Sequence, residues 1–246
     1  MAVWRKAHSQ PILFEQIMHE QNDPHRGASR LSEIILGGQD GLVNVLGVVL
    51  GVAAATSDPR IVLASGLAAT FAESVSMAAV AYTSTVAEAA VYESEREREH
   101  RHILQYPNVE KEEIRSLYRG KGFEGDLLEK TVETITANPE VWVSVMLAEE
   151  HCLPPVDRNS ALRKAMVVGL SSVIGSLIPL GPFFLLPAGP GMAASLVVTA
   201  LALFGVGVYK ARTTVGRPGR SGLEMAAIGT ISAMLGYCIG LILRVA

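Results

Sequence analysis

Gly37-Gly38-Gln39-Asp40-Gly41-Leu42-Val43-Asn44 lies inside a run, residues 34–56, that is otherwise apolar. The run is about as long as a bilayer-spanning helix, which needs roughly 20 residues, yet it carries a carboxylate. An ionisable group at membrane depth is costly and normally faces a bundle interior or a water-filled path. Glycines on both sides of Asp40 let a neighbouring helix or an ion approach the backbone. The competing reading places Asp40 near the interface, where it only caps or is solvated.

Composition bears on that choice. The chain has 246 residues, 49% hydrophobic and only 18% charged, against about a quarter charged in an ordinary soluble protein. Mean hydropathy is +0.31. Charge is unevenly placed: 15 of the 24 acidic residues fall within 93–157, and 9 of the 21 basic residues within 93–158. A polar block set between apolar blocks describes a membrane protein with one sizeable aqueous insert. A net charge of −3 with no basic–aromatic pattern argues against nucleic acid as a partner. Cys152 and Cys238 form no metal or disulfide spacing, and the first apolar run is too long for a secretory signal.

Residues 1–30 are polar, with Leu13, Phe14, Ile17 and Met18 at helical spacing, which suits a segment on the membrane surface. His8, His19 and His25 lack ligand partners at a useful spacing and read as solvated. The first span covers about 31–56 and ends at Ser57-Asp58-Pro59. The second is apolar from about 61 to 82, then continues without Gly or Pro to Leu104, so the helix projects beyond the bilayer. Three short helices follow at 109–119, 125–137 and 139–151, and three apolar runs at 161–187, 191–209 and 222–243. Pro179, Pro182 and Pro187 predict a kink or an early end in the third span. The fold class is therefore all-α, a five-span transmembrane bundle with a helical domain between spans two and three. The domains are 1–30, 31–87, 88–158 and 159–246.

Lys and Arg set the orientation. Arg5, Lys6, Arg26 and Arg30 precede span one and Lys210, Arg212, Arg217 and Arg220 follow span four, against Arg60 and Arg244 on the other side. The amino terminus and residues 88–158 are thus expected in the cytoplasm. No internal repeat is visible, and five spans do not divide into inverted halves. The pairs Gly37/Gly41, Gly47/Gly51 and Gly236/Gly240 favour close helix contacts, between subunits among other options.

Asp40, Glu73 and Met77 are the polar or soft groups of the first two spans. Glu73 and Met77 are one turn apart, and carboxylate with thioether suits a borderline ion such as Fe²⁺ better than Mg²⁺ or Ca²⁺. Alone, Met77 reads as a packing residue. In the insert, Glu88, Glu95, Glu99 and His102 share one helix face, followed by Glu110 and Glu113 at i, i+3 and by Met146 and Glu150 at i, i+4. A hairpin would gather these faces around divalent cations, and Glu99-x-x-His102 has the form used in di-iron bundles. The alternative is a solvated stripe neutralised by Arg96, Arg98 and Arg101.

The motif Gly38-Gln39-Asp40-Gly41-Leu42-Val43-Asn44, Ser76-Met77 in span two and the glutamate-rich insert before three more spans resemble the vacuolar iron transporter family, over about residues 25–245. The resemblance implies a dimeric five-span transporter that moves Fe²⁺ or Mn²⁺ out of the cytosol in exchange for protons. It implies a path through an aspartate and a methionine matching Asp40 and Met77, with Glu73 a further candidate. It also implies a metal-gathering cytoplasmic domain using Glu99, Glu110, Glu113, Met146 and Glu150. The chain departs from the plant-type pattern in three places: His102 replaces a glutamate, Leu147 a second methionine, and Ala69 a span-two glutamate, with Glu73 one turn further along. No permanently bound cofactor and no enzymatic activity are expected; metal ions, protons, the bilayer and a second copy are the partners. The membrane is the cytoplasmic one in a prokaryote and the vacuolar one in a eukaryote. The rival reading is a membrane-anchored iron-binding or ferroxidase-like protein.

Overall fold

The structure, a computed structural model, describes residues 24–56, 58–214 and 216–243, with side chains from residue 31 onward. The readings made on residues 1–30 and on Arg244 lie outside the described side chains. Every regular element among the described residues is a helix, so the chain is all-α. In order these are α1 (Pro24–Ala55), α2 (Pro59–Gln105), α3 (Pro107–Gly120), α4 (Gly125–Thr136), α5 (Pro139–Val145), α6 (Ala161–Leu180), α7 (Ala188–Thr213) and α8 (Pro218–Ile242). Five helices are long and apolar enough to cross a membrane: α1 from Leu31, α2, α6, α7 and α8. Their most apolar windows are only 22–44% buried. Leu170, Ile174, Val197, Leu201, Ile231 and Leu235 are exposed, an outward apolar surface that suits lipid rather than water.

Contacts divide the chain into two units: one holds residues up to Val80 together with those from Lys164, the other is Ala81–Arg163. In the first, Leu42, Val45, Leu46, Val49, Leu50 and Ala53 recur at three- and four-residue steps along α1 and are all buried. All but Leu42 pack with Val62, Leu180, Phe183 and Ala233, and Leu42 packs with Leu203 and Met225. Backbones meet on both flanks of α1. A methyl group on Gly41 would run into the Ser172 carbonyl of α6, and one on Gly236 or Gly240 of α8 would strike the Gly47 or Gly51 carbonyl. The glycine pairs expected to serve contacts that include subunit interfaces are thus spent inside the chain.

The third apolar run does end early. Pro179 sits in the last turn of α6, Gly181–Phe184 form a single 3₁₀ turn, and Pro187 precedes α7. Pro182 and Pro187 cannot donate to a continuing helix, and the Pro179 carbonyl accepts a bond from Ser195 Oγ at 2.6 Å instead.

The second unit packs Ile103, Ile114, Leu128, Val132, Ile135 and Trp142 in its own core. Asn138 caps α5 by accepting from the Glu140 N–H at 2.9 Å, with Pro139 in the first turn. The helix expected over 139–151 differs from the structure: α5 stops at Val145 and a π-helical turn covers Met146–Glu150. There the His151 N–H reaches the Met146 carbonyl, five residues back, at 3.2 Å. Cys152 follows with φ 53°, in the left-handed region, and the Leu153 N–H closes onto Leu147 O at 2.8 Å.

Candidate metal centre

Glu99 and His102 stand one turn apart at the end of α2. Pro107 opens α3 after a single residue outside a helix, Tyr106, and that short reversal brings Glu110 back beside them. His102 Nδ1 lies 3.8 Å from Glu99 Oε1 and 3.6 Å from Glu110 Oε1. One donor atom from each of the three residues falls within 4.8 Å of the others. Glu99 is 3% and Glu110 5% exposed, and Oε2 of each has no hydrogen-bond partner among the described residues. A buried carboxylate oxygen left without a partner is costly, and a divalent cation would satisfy both.

Electrostatics extends the cluster. Burial, then the neighbouring Glu113 and Glu99, push Glu110 up to about 7, with Glu113 hydrogen bonding and Glu150 adding to the effect. Glu150 is raised as well, first by desolvation and next by Glu113, while His151 partly offsets this. Glu113 and Glu150 therefore border the three-residue centre. Met146 is 1% exposed and packs with Ile114, Trp142 and Leu147; the structure seats its thioether in the apolar core of this unit.

The solvated reading fits the outer acids only. Arg98 pairs with Glu95 at 2.9 Å, and Arg96 with Glu93 at 3.1 Å and Glu140 at 2.9 Å. Among the described residues no Lys or Arg pairs with Glu99 or Glu110. His100, the second histidine in a Glu-x-x-His spacing, lies 3.5 Å from Glu140, away from this centre. Sequence spacing missed His151, whose Nε2 is 3.1 Å from Glu99 Oε1. A regular helix through Glu150 would have turned it aside, and nothing in the 3.6-residue pattern signals the π turn.

In the membrane-spanning unit Asp40 and Glu73 are both half-buried, and the Glu73 carboxyl neighbours the Asp40 carboxyl and the Asn44 side chain. Asn44, four residues after Asp40 and so on the same face of α1, belongs to this group although spacing did not single it out. Met77 is half-buried one turn beyond Glu73. Asn44, Glu73 and Ser232 supply the polar lining of a cleft of about 690 Å³ along Gly47, Gly51 and Gly236.

This chain is similar to known proteins over nearly its whole length. Residues 31–241 match the family model described as the VIT family. It is 30% identical over 227 residues to "Vacuolar iron transporter 1" of Tulipa gesneriana, covering 92% of each chain. It is 30% identical over 232 residues to the protein of that name in Arabidopsis thaliana, covering 94% of this chain and 93% of the other. With the "Vacuolar iron transporter" of Plasmodium falciparum (isolate 3D7) it shares 29% identity over 224 residues, covering 87% and 82%.

Proposed function

The chain belongs to the VIT family, and from that premise we propose that it carries Fe²⁺ or Mn²⁺ out of the cytosol in exchange for protons. The observation that carries the reading is the convergence of Glu99, His102 and Glu110, with two buried carboxylate oxygens that no group among the described residues satisfies. Carboxylates with one imidazole form a borderline donor set, which suits first-row divalent ions above Ca²⁺. Glu113, Glu150 and Met146 are proposed as further ligands, the last after side-chain rearrangement out of the core. The insert then gathers metal on the cytoplasmic side.

In the spans, Asp40 and Glu73 would balance the charge of one cation, with Met77 as a soft donor and Asn44 as a neutral oxygen. Replacing the cation by protons keeps that pair neutral, which is the electrostatic basis of antiport. The basic residues after α7 support a cytoplasmic insert. Exposure of Asn44, Val48 and Ser76 beside the carboxylates supports a second copy covering that side, hence a homodimer. The relatives' names support the vacuolar membrane in a eukaryote, and the same orientation would serve the cytoplasmic membrane of a prokaryote.

The test is uptake of Fe²⁺ and Mn²⁺ into proteoliposomes with and without a pH gradient. Gradient-dependent uptake that falls to the protein-free level in Asp40→Ala is the expected result. Equal uptake by the variant, or uptake indifferent to the gradient, would overturn the path or the coupling respectively.

A further inference from the structure

We infer that His151 is a positioning residue for the metal centre: it donates Nε2–H to Glu99 and holds that carboxylate in the orientation that receives the cation. The inference rests on reading the Glu99–His102–Glu110 cluster as a metal centre. Glu99 is almost wholly buried, and His151 Nε2 lies 3.1 Å from its Oε1. A carboxylate ready to take a cation can only accept, so in that role Glu99 receives the proton of this bond from His151 Nε2. His151 stands outside the three-donor group; among the described residues it is the side chain within hydrogen-bond distance of Glu99. With Oε1 so anchored, the unpartnered Oε2 and the remaining lone pair of Oε1 are left for the cation.

The backbone carries an independent sign of the same role. A π turn adds one residue to a helical turn and is frequent at functional sites. Here it widens Met146–Glu150 so that His151, five residues on, comes back beneath Met146 instead of turning away. Cys152 takes a left-handed backbone at φ 53° to close it, a conformation that is strained for a non-glycine residue. The segment thus departs from regular helix where doing so delivers an imidazole to Glu99. Outer partners of this kind orient a metal-binding group, and their loss typically weakens metal affinity about 10–100-fold.

The experiment is Mn²⁺ titration of the full chain in detergent, with free Mn²⁺ followed by electron paramagnetic resonance. Glu99→Gln defines which part of the binding belongs to this centre. His151→Ala is expected to weaken that Glu99-dependent binding about 10–100-fold. His151→Gln, whose amide still donates to Glu99, is expected to recover most of it. Helical content of both variants should match the parent, and any loss of metal-free stability in His151→Ala should be recovered in His151→Gln. Unchanged affinity in His151→Ala overturns the inference and leaves the metal centre standing, as does a His151→Gln no better than His151→Ala. A parent chain with no Glu99-dependent Mn²⁺ binding overturns the metal-centre reading and this inference with it.

Discussion

Glu110 is held where an ionised carboxylate is least welcome, buried first of all and beside Glu113 and Glu99, so its carboxyl is pushed up from 4.5 to about 7. A carboxyl raised in this way stabilises the fold while it stays protonated. That contribution is complete below about pH 4.5 and is lost as pH rises through about 7. Metal-free protein in chelator should therefore melt at a lower temperature at pH 8 than at pH 5.5. Glu110→Gln should flatten that difference by roughly 1–3 kcal/mol while weakening metal binding. Cys152 offers a second residue-level test. Glycine adopts its left-handed conformation freely, so Cys152→Gly should stabilise the chain by about 1 kcal/mol and raise its melting temperature. The alternation of acids with Arg96 and Arg98 left two readings of the stripe open, because spacing shows which residues share a face but not which are paired. Glu99 and Glu110 were legible as candidate ligands; their burial, and His151 beside Glu99, were not.

Among the elements, the long apolar runs told most about the fold, since a hydrophobic stretch with few charges has little other use at that length. The proline-rich end of α6 was equally legible, because Pro removes a donor wherever it falls. The π turn was not, because one extra residue per turn leaves no compositional trace. Nor were the partners of the glycine pairs, since close approach to a backbone looks the same from within one chain or from another. Their placement is open to test. Gly236→Val would push side-chain atoms into the Gly47 carbonyl, and overpacking of this kind costs about 1–3 kcal/mol. A lower melting temperature in detergent is expected. Gly205→Ala, with open space around a new Cβ, should leave it unchanged or higher.

For the molecule as a whole, orientation can be read directly. In a background with Cys152 and Cys238 replaced by serine, Ser116→Cys should react with an impermeant thiol reagent from the cytosolic face and Asp58→Cys from the opposite face; the reverse pattern would invert the topology. The backbone contacts of α1 also bear on how such a protein can move. With α6 against Gly41 and α8 against Gly47 and Gly51, α1 cannot slide past either neighbour without forcing carbonyls into Cα atoms. The spanning part of α2 is also close to α6: Ser74 Oγ lies 3.3 Å from Ser172 Oγ, and a methyl group on Gly169 would crowd the Ser74 carbonyl. At these mid-span contacts α1, α6 and α8 hold together as one block, so any opening to one side or the other must carry them as a unit. Amide hydrogens in the middle of α1 should then be among the slowest in the protein to exchange with deuterium, whether or not cargo is moving.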